Sequence, residues 1–194
     1  MILEKHTVGR FFTNNYILGD DDTRNVVIID AGDGISEVLA IVKERFLNVK
    51  YILITHGHYD HTLGATQLRE ETGAKIAMSE LDLPLTGSIL KPDILLNHDD
   101  NISFDGFNIR VISTPGHTPG GLCFKYSNLL FSGDTLFFKD VGRCDLEGGN
   151  FEILKDSIST KLFTLNDNVK VHPGHGENTT IGFEKHHNPH VKGV

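Results

Sequence analysis

With only two cysteines in 194 residues, the chain has no disulfide framework to rely on. Cys123 lies in Leu122-Cys123-Phe124, which reads as a buried strand where the thiol acts as a small hydrophobe. Cys144 follows Arg143, whose charge would lower a thiol pKa, yet no histidine stands beside it in sequence. No apolar stretch approaches the length of a membrane span, and Met1 to Thr7 carries no apolar leader core. A cytoplasmic protein is the default expectation. Runs of Lys and Arg are also missing. Eighteen basic against 26 acidic residues give a net charge of −8, which argues against nucleic acid or anionic membrane as partner. No linker, repeat or low-complexity tract divides the chain. Its length suits one domain, residues 1–194, with a core large enough to hold a rigid site.

What the chain does have is Thr55-His56-Gly57-His58-Tyr59-Asp60-His61, directly after the apolar run Tyr51-Ile52-Leu53-Ile54. His56, His58, Asp60 and His61 each offer a lone pair to a metal. Mixed imidazole and carboxylate donors suit a transition metal. Separate surface histidines, with Asp60 capping the next helix, would be the plainer reading. That reading leaves unexplained why the donors crowd into the turn that ends a buried strand.

Further donors occur in three later loops, each after an apolar run and beside glycine: His117 in Pro115-Gly116-His117, Asp134 in Gly133-Asp134, and His175 in Pro173-Gly174-His175. Glycine lets the backbone turn sharply and approach a bound ion. Any one loop is an ordinary surface feature. One sheet edge would bring all four together.

Hydrophobic spacing gives the frame. Strands are expected at Asn15 to Leu18, Val26 to Ile29, Tyr51 to Ile54, Asn108 to Ser113, Leu122 to Tyr126 and Leu129 to Ser132. Helical spacing covers Ser36 to Phe46, with Phe46 on the apolar face, and Phe151 to Phe163, with Phe151 facing inward. A third helix is expected to begin near Asp60 and to carry Leu63, Ala65 and Leu68 inward. Periodicity alone gives α/β or α+β.

With these motifs the chain resembles the metallo-β-lactamase superfamily, and within it the hydroxyacylglutathione hydrolase (glyoxalase II) branch. The resemblance runs from Val26-Val27-Ile28-Ile29-Asp30 to the tail Thr179-Thr180-Ile181-Gly182-Phe183-Glu184. It implies an αββα sandwich of two mixed sheets flanked by helices. It also implies two divalent metal ions, zinc first, with iron or manganese as alternatives. The first would be held by His56, His58 and His117, the second by Asp60, His61 and His175, with Asp134 bridging. The activity implied is cleavage of a thioester such as S-D-lactoylglutathione by a hydroxide shared between the metals, with Asp60 and Asp134 as catalytic ligands. A thiolate leaves without strong acid help, so the metal centre suffices. The partner would be a small-molecule thioester.

Asp30, ending a strand, is expected to orient a ligand histidine through its other ring nitrogen. Arg143 matches a region that contacts substrate and could grip a carboxylate; pairing with Asp145 is the equal alternative. His172 is expected to pack rather than bind metal, His98 to lie in a solvated loop, and His186, His187 and His190 to sit at an exposed helix end. Fewer than about twenty residues follow Glu177, too few for the helical lobe that helps bind glutathione in the best-known members, since helices average eleven or twelve residues. Two other functions stay open. A mononuclear-iron persulfide dioxygenase of the same fold would use His56, His117 and Asp134. A non-catalytic metal- or partner-binding domain would be expected to have lost a ligand, and none is lost.

Overall fold

Along Asn25–Ile29 the side chains alternate between two cores, as the period of a strand requires. Val26 and Ile28 face helices, whereas Val27 and Ile29 face a second sheet. This double burial explains the unbroken apolar run. The computed structural model describes residues 1–87 and 90–191.

The first sheet contains β1 (Ile2–Val8), β2 (Thr13–Gly19), β3 (Asn25–Ile29), β4 (Asn48–Leu53), β5 (Lys75–Met78) and β6 (Ile94–Leu95), in that spatial order. β1, β2 and β3 pair antiparallel, and β3 through β6 pair parallel. The second sheet is built from β7 (Asn101–Phe104), β8 (Phe107–Ser113), β9 (Leu122–Tyr126) and β10 (Leu129–Gly133). A small hairpin, β11 (Leu136–Phe137) and β12 (Asp140–Val141), precedes its last strands, β13 (Lys170–Pro173) and β14 (Thr179–Thr180). The order is β14-β13-β10-β9-β8-β7, with β13 parallel to β10 and the other pairs antiparallel.

Helices α1 (Ile35–Glu44), α2 (Tyr59–Thr62) and α3 (Ala65–Thr72) belong to the first half. Val38, Leu39 and Val42 of α1 and Leu68 of α3 join one core with Ile17, Val26, Ile28, Ile52 and Ile76. In the second half, α4 (Phe151–Ser157) continues as a π-helical turn over Ile158–Leu162, and α5 (Ile181–His187) closes the described chain. Leu154, Ile158 and Leu162 pack on Ile112, Cys123, Leu130 and Val171. Between the sheets lie Tyr16, Leu18, Leu53, Val111, Phe124 and Phe131. Each fully buried side chain of this size contributes about 1.5–3 kcal/mol relative to exposure. The result is the expected αββα sandwich of two mixed sheets. No described helix is long and apolar enough to cross a membrane.

Three inward placements read from spacing are corrected. The first helix ends at Glu44, and Phe46, at φ 53°, is 85% exposed; Leu47 turns inward in its place. The helix after the histidine motif breaks at Gly64, and Leu63 is left exposed. A Cβ at Gly64 would collide with Ile35 of α1 and the Gly32 carbonyl, so the close approach here requires glycine. Phe151, in the first turn of α4, is also exposed.

Candidate metal centre

β8, β10 and β13 run in one direction, because β9 is antiparallel to both of its neighbours. β3, β4 and β5 are likewise parallel. The loops that leave the C-terminal ends of these strands carry every donor singled out above. His56, His58, Asp60 and His61 follow β4, His117 follows β8, Asp134 follows β10, and His175 follows β13.

All seven converge. His56, His58 and His117 form one group, Asp60, His61 and His175 another, and His56, His61 and Asp134 connect them. His58 Nδ1 lies 3.0 Å from His117 Nε2, which is 3.3 Å from His56 Nε2. In the other half His61 Nε2 is 3.1 Å from His175 Nε2, and Asp60 Oδ2 is 3.2 Å from the same atom. Asp134 reaches both halves: Oδ2 lies 3.6 Å from His117 Nε2 and 3.6 Å from His175 Nε2, and Oδ1 lies 3.5 Å from His61 Nε2. Two donors on one tetrahedral ion, each about 2.0–2.1 Å from it, stand about 3.3 Å apart. The observed spacings match.

Ring orientation points the same way. His117 Nδ1 lies 2.6 Å from the Arg143 carbonyl, which only accepts, so this nitrogen carries the proton and Nε2 keeps its lone pair. His61 Nδ1 donates to Asp30 Oδ2 at 2.8 Å, which turns Nε2 toward the centre. Asp134 Oδ1 is buried without a hydrogen-bond partner, a costly state unless a cation meets it. Facing imidazole lone pairs and an orphaned carboxylate oxygen fit a divalent metal. A Cβ at Gly174 would collide with Asp134 Oδ1 and His61 Cε1, so only glycine lets this turn pass the donors.

The two halves differ electrostatically. Burial and the neighbouring histidines hold His56 well below the usual histidine range, and burial likewise lowers His58. Burial also opposes charge on His61, but Asp134, Asp30 and Asp60 outweigh it and raise its pKa to about 9. Asp60 is buried too, yet its hydrogen bond to His175 and the charge of His61 bring it down to about 2. His61, beside the carboxylates, therefore keeps a proton that His56 and His58 shed.

Asp30 is buried at φ 61° and accepts from the Thr55 amide at 2.8 Å as well as from His61. Arg143 donates to Asp145 through two bonds of 2.7 Å, and both side chains are exposed; its carbonyl, not its guanidinium, touches the centre. His172 stacks on Phe131 away from the donors, with burial pressing its pKa down to about 4. His98, His186, His187 and His190 stay outside. Asp60 caps no helix, since the residue before α2 is His58.

Three supporting residues were not foreseen. Asp82, fully buried, accepts from Gly57 N at 2.8 Å, Thr118 Oγ1 at 2.7 Å and Gly120 N at 2.6 Å. Asn14 Nδ2 donates to the carbonyls of Pro173 and Gly176, and Tyr16 Oη to that of Pro173. The only sequence signal was the placement of Asn14 and Asn15 at the head of an apolar strand.

The signature of the metallo-beta-lactamase superfamily matches residues 8–175. The chain is 39% identical to hydroxyacylglutathione hydrolase GloC of Haemophilus influenzae, over 92% of each chain. Among solved structures it is similar to the BLEG-1 B3 metallo-beta-lactamase, with a TM-score of 0.91 and 32% identity over 99% of this chain and 100% of that one. ETHE1 from Myxococcus xanthus gives 0.88 and 32% over 97% and 84%. TTHA1623, solved in a di-iron-bound form, gives 0.83 and 32% over 97% and 100%. Fold, converging histidine and aspartate loops and matched sequence agree: the chain belongs to the metallo-beta-lactamase superfamily.

Proposed function

We propose that this chain is a dinuclear-metal hydrolase of thioesters of the S-D-lactoylglutathione type. The observation that carries the reading is the complete second donor set, Asp60, His61 and His175, beside His56, His58 and His117, with Asp134 spanning both. Similarity to a hydroxyacylglutathione hydrolase over 92% of each chain supports the substrate class.

Bound by these residues, the metals would supply Lewis acidity toward a carbonyl and lower the pKa of water they hold. The chain's own groups do the rest. The Arg143 carbonyl and Asp30 fix the tautomers of His117 and His61, so that both present Nε2 inward. Asp60 and Asp134 bring negative charge to a centre otherwise made of imidazoles. A hollow of about 340 Å³ opens beside His175, lined by Phe137, Phe138, Asp140, Gly176 and Glu177. It gives substrate a route to the donors. A thiolate leaves without strong general-acid help, so the donors named here suffice for a thioester.

The similarity to ETHE1 favours one second reading, an iron-dependent persulfide dioxygenase using His56, His117 and Asp134. That chemistry leaves Asp60 and His175 without a task. Metal analysis of protein purified without chelators, alongside S-D-lactoylglutathione hydrolysis, β-lactam hydrolysis and oxygen uptake with a persulfide, separates the readings. Two metals and thioester turnover are expected; one iron with persulfide-dependent oxygen uptake overturns the proposal.

A further inference from the structure

Asp82 ends the short 3₁₀ turn Glu80–Asp82 after β5 and is none of the converging donors. Its carboxylate is sealed from solvent, and among the described residues no cation pairs with it. Three neutral donors satisfy it instead. Burying a charge this way is costly, so the arrangement must be held by the surrounding structure. The three donors are distributed in a telling way. Gly57 lies between His56 and His58, and Thr118 and Gly120 belong to the loop that carries His117. One carboxylate thus ties together the two loops that hold His56, His58 and His117.

The other half is held by different residues. The Asn14 amide donates to the Gly174 carbonyl at 2.7 Å, and its side chain reaches the carbonyls of Pro173 at 2.9 Å and Gly176 at 3.1 Å. Tyr16 Oη adds a bond of 2.7 Å to Pro173. These contacts frame His175 from the β2 side, and Asp30 orients His61. None of them involves Asp82.

We infer that Asp82 is the positioning residue of the first half-site: its carboxylate sets the separation of His56, His58 and His117, while Asn14 and Tyr16 independently set the loop of the second. The inference rests on the proposed reading of the centre as two metal sites. It assigns their affinities to separate parts of the chain, so that either can be altered without the other. Charge-assisted hydrogen bonds are about twice as strong as neutral ones, which suits a carboxylate to this task. Asparagine at this position would keep the shape but turn an NH2 group toward Gly120 N–H or toward Gly57 N–H and the Thr118 hydroxyl. Either choice sets donor against donor.

The test is a stepwise zinc titration against a chromophoric chelator, with histidine ring NMR to show which imidazoles each equivalent engages. In Asp82→Asn the equivalent that engages His58 and His117 should bind 10–100-fold more weakly, the range found when a partner behind a ligand is lost. The equivalent engaging His175 should change by less than about twofold. Asn14→Ala should show the reverse. Thr118→Val removes one donor and keeps the carboxylate, so it gives a milder loss in the same half if Asp82→Asn does not fold. Equal weakening in both halves, or an unchanged ratio in folded Thr118→Val, overturns the inference. Wild-type protein that binds no metal overturns the functional reading instead.

Discussion

His61 Nδ1 lies 2.8 Å from Asp30 Oδ2, and both side chains are closed to solvent. Thirty-one residues separate the pair, and the contact forms because Asp30 leaves β3 at φ 61°, a conformation aspartate tolerates better than most. The same carboxylate accepts from the amide and hydroxyl of Thr55. Asp30 therefore joins the start of the histidine motif to its end. Replacing it with alanine should orphan a buried N–H on His61 and on Thr55, each costing about 1–3 kcal/mol. Metal affinity should drop 10–100-fold. A melting curve and a metal titration check this; wild-type affinity in a folded variant would show that His61 needs no orienting partner.

Removing single donors separates the halves. His175→Ala should weaken only the metal held by Asp60 and His61, because His175 approaches no donor of the first group except the shared Asp134. Asp134→Ala should weaken both and leave two cations facing each other unshielded. Equal loss in the two variants would show that Asp134 does not bridge. Inductively coupled plasma analysis of dialysed protein gives the stoichiometries.

The unequal proton affinities predict an unequal pH dependence. In the metal-free protein His61 holds a proton up to about pH 9, while His56 and His58 shed theirs below the usual histidine range. A raised folded pKa stabilises the fold below pH 6.5, and that contribution is lost as pH rises through about 9. Metal entering the second half must displace this proton. His175, raised against its burial by its hydrogen bond to Asp60 and the charge of Asp134, adds to the demand, so affinity should rise at least about tenfold per pH unit between 6.5 and 9. Affinity of the half held by His56 and His58, both lowered, should depend on pH less steeply over that window. Calorimetry in buffers of different ionisation enthalpy measures the protons released; none at pH 7 would contradict the asymmetry.

Much of the centre was legible because its parts are local. A donor cluster in the turn after a strand, and a strand followed by glycine and a donor, can each be read in a few residues, and the seven donors so identified are those that converge. What could not be read depends on distant neighbours. Phe46, Leu63 and Phe151 fit helical spacing, but helix ends at Glu44 and Thr62, and a first-turn position in α4, turned them outward. Asp82 follows Ser79-Glu80-Leu81 and looks like one more surface acid until β5 carries it under the histidine loops. Asn14 and Tyr16 gain their meaning only when β2 passes the loop of His175. Spacing reports a face only while the element continues, and it never reports what is brought to that face.

Arg143 offers the last test, one of specificity. Its guanidinium is already engaged by both oxygens of Asp145, which it holds down at about pKa 2, in an exposed loop. To grip a substrate carboxylate it would have to give up a matched bidentate partner for another of the same kind, with little net gain. Its carbonyl is the part that meets the centre, through His117 Nδ1, and any residue supplies a carbonyl. Arg143→Ala should therefore leave metal content and melting temperature unchanged. kcat/KM should alter equally, by less than about threefold, for S-D-lactoylglutathione and for a lactoyl thioester of a neutral thiol. Exposed ion pairs commonly contribute little, which sets that bound. A loss confined to the glutathione thioester would instead give Arg143 the role of anchoring the substrate's carboxylate and identify which side of the centre the thiol arm follows.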